Sequence, residues 1–211
     1  MDGDHFGDFE YERRFFVREL PTDITANQHP SVIIQAYLLA ADGYAVRIRG
    51  QASDVAELPA PTDPSDQVLA AIAPHFNFCA LTAKGPYVGG TRYEAERELD
   101  ASVCYQMLKR AGARITKLRY SAWLGEDGWV IDQFLGANAP LIIAECERGG
   151  PVVDLAIPAF CFHEVTADHR FSNDYLSGQP YRQWAYHFEE ELAVSGPSFI
   201  TEFGTNTHLQ P

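Results

Sequence analysis

The stretch Glu10-Tyr11-Glu12-Arg13-Arg14-Phe15-Phe16-Val17 decides how the rest of the chain is read. Side chains alternate along a strand, so Glu10, Glu12, Arg14 and Phe16 share one face while Tyr11, Arg13, Phe15 and Val17 share the other. One face therefore opens with two carboxylates and a cation. The same period-two pattern recurs from Val32 to Leu39, Tyr44 to Gly50, Phe76 to Lys84 and Thr91 to Leu99, then from Arg114 to Trp123, Trp129 to Leu135 and Leu141 to Arg148. Eight such segments predict a mainly antiparallel sheet of the α+β class, arranged as a barrel or a sandwich.

Three helices interrupt the strands. One is expected at about Ser65 to Pro74, inside a Pro/Ala/Asp-rich insertion spanning 51–77. A second follows Asp100, an N-cap, and ends before Gly112, with Val103, Met107 and Leu108 at helical spacing and Lys109 and Arg110 in its last turn. The third runs from about Tyr181 to Leu192, where Tyr181, Trp184, Tyr186 and Phe188 read as packing residues. Ser195 to Pro211 reads as a weakly specified tail. No linker divides the chain, so residues 1–178 are expected to carry the site, and 179–211 to add a helix and tail to the same domain.

Of 211 residues, 46% are apolar and 12% aromatic, enough to build a core. Sixteen Lys and Arg against 29 Asp and Glu give a net charge of −13, which argues against duplex nucleic acid and anionic membrane surfaces as partners. An anion site must then be a local basic pocket. No apolar run approaches the roughly 18 residues of a membrane span, and the acidic start lacks a secretory pattern, so a cytoplasmic location is expected. Cys79, Cys104, Cys146 and Cys161 show neither C-x-x-C nor Cys/His ligand spacing and read as reduced packing residues.

Charged pairs at i, i+2 mark several strands, and their sign is sorted by strand. Arg47 and Arg49 share a face, as do Lys117 and Arg119, whereas Glu94, Glu96 and Glu98 line up behind Arg92, and Glu145 aligns with Glu147. Alternating charge on one pair of strands is ordinary solvated sheet, but a generic surface intersperses its signs. Two carboxylates about 6.6 Å apart repel by about 2.5 kcal/mol at an effective dielectric near 20. In an enclosed space that repulsion needs raised pKa values or hard divalent cations, and adjacent Lys and Arg suit a phosphate chain.

These residues resemble the CYTH, or triphosphate tunnel metalloenzyme, superfamily. The opening Glu-x-Glu-x-Lys signature reads Glu10-Tyr11-Glu12-Arg13-Arg14 here, with Arg14 in place of the lysine. Further fragments follow in family order: Gln35-Ala36-Tyr37-Leu38, Val46-Arg47-Ile48-Arg49, Thr82-Ala83-Lys84-Gly85, Arg92-Tyr93-Glu94-Ala95-Glu96, Lys117-Leu118-Arg119-Tyr120, Trp129 to Phe134, Ala144-Glu145-Cys146-Glu147 and Glu164-Val165-Thr166. The resemblance implies an eight-stranded closed tunnel barrel with the charged rows inside and helices outside.

It also implies a metal-dependent hydrolase of triphosphate substrates, foremost inorganic triphosphate. Phosphate ligands would be Arg47, Arg49, Lys84, Lys117 and Arg119, with Arg170 within reach. Glu10 and Glu12 would bind Mg²⁺ or Mn²⁺ and, with Arg14, form the catalytic group. Further metal ligands would be Glu94, Glu96, Asp132, Glu145 and Glu147. In the implied reaction a water oriented by the glutamates attacks the terminal phosphorus in line while the cations stabilise the charge. The alternatives are a class IV type adenylyl cyclase, a thiamine or RNA 5′-triphosphatase, and a noncatalytic polyphosphate- or nucleotide-binding module. A triphosphate-containing small molecule is the expected partner, and a homodimer is compatible with the sequence. His163 and His169 lack metal spacing and read as structural.

Overall fold

Every alternating segment forms a strand in the computed structural model, which describes residues 9–86, 88 and 91–209. These strands are β1 (Phe9–Val17), β2 (Ser31–Ala41), β3 (Tyr44–Ala52), β4 (Phe78–Lys84), β5 (Arg92–Glu98), β6 (Arg114–Leu124), β7 (Asp127–Phe134) and β8 (Ile142–Arg148). The short strands β9 (Ala156–Ile157), β10 (Cys161–Glu164) and β11 (Thr207–His208) carry no alternation long enough to be read from sequence. The helices are α1 (Thr22–Asn27), α2 (Ser65–Ile72), α3 (Ala101–Arg110), α4 (Asn173–Gly178) and α5 (Ala185–Ser195).

Local chemistry explains several of these boundaries. The Asp100 carboxylate accepts from the backbone N–H of Ser102 at 2.8 Å and of Val103 at 3.3 Å, capping α3 as expected. At the β2–β3 turn, Asp42 and Gly43 take φ of 52° and 82°, the conformation that closes a two-residue hairpin.

The main sheet has nine strands in the order β10-β1-β5-β4-β3-β2-β6-β7-β8, with neighbours antiparallel. The expectation of an eight-stranded closed tunnel barrel is corrected here, because the sheet does not close into a barrel. One edge of β1 pairs with β8 from Tyr11 to Phe16. Its other edge is shared: β5 meets it only at Phe9↔Tyr93 and Glu10↔Arg92, while β10 takes Phe15, Phe16 and Val17. A strand has two hydrogen-bonding edges. β5 thus meets β1 through two residue pairs only, and from Glu94 to Glu98 it pairs with β4 alone. The result is a strongly curled sheet with a concave and a convex face.

The main apolar core joins the sheet to α2 and α3: Val68, Leu69, Ile72, Cys104 and Leu108 pack with strand residues such as Ile34, Ile48 and Trp129. The insertion 51–77 belongs to this layer, through Val55 and α2. A second apolar cluster occupies one end of the concave face. Phe16, Ile115, Phe134 and Ile143 lie on the charge-bearing faces of β1, β6, β7 and β8, and there they meet Leu176 of α4, Phe188 and Leu192 of α5, and Phe171 and Tyr181. The third expected helix is split into a 3₁₀ turn at Tyr181–Gln183 and α5. Tyr186 is exposed rather than packed.

The tail differs most from its sequence reading. Ser198 N donates to His163 Nδ1, Glu164 N donates to Ser198 O, and Thr207 pairs with Ala156. The residues that hold it lie more than thirty positions upstream, so no local pattern announces the docking. All four cysteines are buried free thiols with pKa values pushed up by burial, in keeping with packing roles. No helix among the described residues is long and apolar enough to cross a membrane.

Candidate active site

The concave face encloses a cavity of about 280 Å³. Because β1, β3 and β6 present alternate residues inward, Glu12 and Arg14, Arg47 and Arg49, and Lys117 and Arg119 all line it. Lys84 of β4 joins them, with Arg92, Glu94 and Glu96 from β5 and Glu145 and Glu147 from β8. Among the described lining residues seven cations face six carboxylates, the sixth being Asp174 of α4, so this part of the lining is net positive in a chain of net charge −13. Of the residues expected at the site, the side chain of Glu10 lies outside the described residues, and two others are placed differently.

Asp132 is one of these. It is 1% exposed and is not among the lining residues; on the same face of β7 as Val130, it accepts from Lys117 Nζ at 2.5 Å and from Arg119 Nε and Nη2 at 2.7 and 2.6 Å. Burial opposes its charge, but Arg119 and Lys117 together hold its carboxyl down at about 2. Burial also lowers the Lys117 ammonium to about 8, with Asp132 opposing, so the lysine remains charged at neutral pH. Arg119 is partly buried, and its bonds to Asp132 outweigh the cost of desolvation and raise its pKa. With its oxygens taken by two cations, Asp132 anchors Lys117 and Arg119, and this placement does not present it as a metal ligand.

Arg170 is the other. It is not part of the cavity lining: its guanidinium pairs with Asp168 and Glu191, each at 2.7 Å, and lies over the Trp184 ring. It fastens α5 to the turn before α4, instead of reaching phosphate.

The remaining cavity groups interlock without being saturated. Lys84 meets Glu94 at 2.6 Å, Arg49 meets Glu96 at 3.3 Å, and Arg47 lies 3.5 and 3.6 Å from Glu94 and Glu96. Thr82 Oγ1 accepts from Arg47 at 3.1 Å and donates to Glu96 at 2.9 Å. Burial, reinforced by Arg47, pushes the Arg49 pKa down. Yet the Nε atoms of Arg14, Arg47, Arg49 and Arg92 are buried and have no hydrogen-bond partner. The same holds for Nε2 of Gln35, a residue only 1% exposed. Buried donors left unpaired cost about 1–3 kcal/mol each, so five around one cavity describe a place prepared for an anion with many acceptor oxygens.

Glu12 and Glu147 stand directly opposite each other on β1 and β8, as do Arg14 and Glu145. Like charges opposite one another destabilise a sheet, and oxygen donors suit hard divalent cations. Among the described residues no group of three or more His, Cys, Asp or Glu is gathered to hold a metal. Glu12 and Glu147 would suit a cation of the Mg²⁺ kind, which binds through one or two carboxylates together with substrate phosphates.

Sequence reading missed Gln35 and Tyr37, although their register opposite Arg49 and Arg47 follows once β2 and β3 are paired. It also missed Asn173 and Asp174, brought to the cavity by chain folding from far downstream. His163 accepts a backbone bond and His169 packs edge-on against Tyr175, both structural.

No family model matches the chain. A curated inorganic triphosphatase of Acetivibrio thermocellus is 34% identical over 106 residues, which cover 49% of this chain and 68% of that protein. The chain belongs to the inorganic triphosphatase family. The fold agrees: the crystal structure of another inorganic triphosphatase superposes with a TM-score of 0.51 at 25% identity, over 80% of this chain and 93% of that one. A second crystal structure of that same protein gives 0.50 at 25% identity, covering 80% and 97%. Within this family member the lysine of the opening signature is Arg14, which lines the cavity 3.5 Å from Glu12 and keeps the positive charge there.

Proposed function

We propose that this protein hydrolyses inorganic triphosphate with the help of Mg²⁺ or Mn²⁺. The observation that carries the reading is the set of buried arginine and glutamine donors without a hydrogen bond around a cavity with seven cations among its described lining residues. Its volume lies at the lower limit of small-molecule sites, about 300 Å³, and Tyr37 is the one aromatic side chain among its described lining residues. Both features favour a bare phosphate chain over a nucleotide.

In this reading Arg47, Arg49 and Lys84 hold one side of the chain while Lys117 and Arg119, steadied by Asp132, hold the other. Arg14 adds a forked donor beside Glu12, suited to two oxygens of one phosphoryl group. Glu12 and Glu147, with Glu94, Glu96 and Glu145 within the same cavity, would hold the divalent cation, which supplies charge neutralisation at the phosphoryl oxygens. Water adds in line to a phosphorus atom, the bridging P–O bond breaks, and the leaving phosphate keeps that oxygen. Fixed guanidinium groups already aimed at the charge stabilise the transition state without reorganising.

The test is to incubate the protein with tripolyphosphate, and separately with ATP, in Mg²⁺ or Mn²⁺, and to separate the products. Phosphate release from tripolyphosphate is the expected result. Cyclic AMP with pyrophosphate from ATP would replace this reading with a cyclase, and tight tripolyphosphate binding without turnover would replace it with a binding module.

A further inference from the structure

The concave face changes character along its strands. On β1 the inward series runs Glu12, Arg14, Phe16; on β6 it runs Arg119, Lys117, Ile115; on β8 it runs Glu147, Glu145, Ile143. The apolar ends converge and are sealed by Leu176 of α4 and by α5. The charged half therefore ends at a floor. Lys117 stands on this boundary, with its ammonium 5.4 Å from the Phe134 ring centroid and donating to Asn173 Oδ1 at 3.3 Å. Asp174, the next residue of α4 after Asn173, also lines the cavity, and its carboxylate has no hydrogen bond or ion pair among the described residues.

A phosphate chain entering this cavity meets a lysine that attracts its end and a carboxylate that repels anything further. We propose that α4 forms a register stop: Asn173 fixes Lys117 as the seat of the buried chain end, and Asp174 turns back any additional phosphate. The substrate class is linear polyphosphates bound by one end, with the scissile bond counted from that end. Each hydrolysis adds one water across one bridging bond, so tetrapolyphosphate gives either phosphate plus triphosphate or two pyrophosphates. A stop selects one of these outcomes, whereas an open channel mixes them.

This inference rests on the triphosphatase reading. Initial products from tetrapolyphosphate are separated by ion exchange for the wild type, Asp174→Asn and Asn173→Ala, with tripolyphosphate assayed in parallel and thermal melting used to confirm folding. A single dominant product pair is expected from the wild type. Asp174→Asn should raise the minor pair by about tenfold, because a neutral amide no longer repels a phosphoryl group shifted against α4. Asn173→Ala should blur the ratio in the same direction. A mixed product pattern from the wild type, or an unchanged ratio in a folded Asp174→Asn variant, would overturn the register stop while leaving tripolyphosphate hydrolysis intact. Loss of tripolyphosphate hydrolysis in the wild type would instead defeat the function proposed above.

Discussion

Arg13 and Arg14 are neighbours in the chain, yet they end in opposite situations. Arg13 points to the convex side, is 1% exposed, and grips Glu164 through Nε at 2.9 Å and Nη2 at 2.7 Å while Nη1 donates to Asn206. Glu164 also accepts from Thr166 at 2.7 Å and from Ile200 N at 2.8 Å, so both of its oxygens are filled. Arg14 points to the concave side and keeps a buried Nε without a hydrogen bond, as do Arg47, Arg49 and Arg92 across the cavity. The chemistry is the same, an arginine near carboxylates, but one set is complete within the chain and the other waits for oxygens from outside. Saturation marks the tail clasp as structure, and the gathering of several unbonded donors around one space marks the cavity as a place for a ligand.

Substitutions break the comparison in opposite senses. Glu12→Gln in the cavity should lower kcat for tripolyphosphate by about a thousandfold while leaving the melting temperature equal or higher, since it relieves the facing Glu12 and Glu147 pair; steady-state kinetics and calorimetry check both halves. Arg13→Met in the clasp should do the reverse. It strands buried Glu164 and costs about 3–5 kcal/mol of stability by denaturant titration, with kcat per folded molecule preserved.

A smaller effect sharpens the line between the two regions. Gln35→Leu removes an amide that the fold leaves unpaired, so stability should hold or rise while KM for tripolyphosphate increases about tenfold, in accord with the loss of a bond to a charged acceptor. Lost stability with unchanged KM would place Gln35 in the structural class.

The smallest concerns pH. Burial lowers the His163 pKa, and its Nδ1 accepts from Ser198 N, so the fold prefers the neutral ring. The unfolded chain then binds the proton more readily, and this part of the stability is present above pH 6.5 and declines as the pH falls through that value toward the folded pKa. Melting curves at pH 7.5 and 5.5 for the wild type and His163→Gln should show the variant to be less pH-sensitive by on the order of 1 kcal/mol or less.

How much of this was legible in the sequence follows from the range of each interaction. The eight long strands and the Asp100 cap depend on neighbours in the chain, and alternation exposed them. The paired rows at Arg47 and Arg49, Lys117 and Arg119, and Glu145 and Glu147 follow from the same period, and the structure gathers them around one cavity. The failure to close turns on β5 meeting β1 at two residue pairs only, a long-range contact that no periodicity encodes. Asp132 has the composition of a metal ligand, and only the pairing of β7 with β6 sets it between Arg119 and Lys117. Asn173, Asp174 and the tail clasp belong to the same long-range class.

The central claim is that the unsaturated concave cavity hydrolyses triphosphate. Initial rates of phosphate release from tripolyphosphate, measured for the wild type and Arg49→Ala with Mg²⁺ and again with excess chelator, test it most directly. Release should depend on the cation and fall about a hundredfold in kcat/KM when Arg49 is truncated. Equal rates for the two proteins, or a wild type that binds tripolyphosphate without cleaving it in either condition, would contradict it.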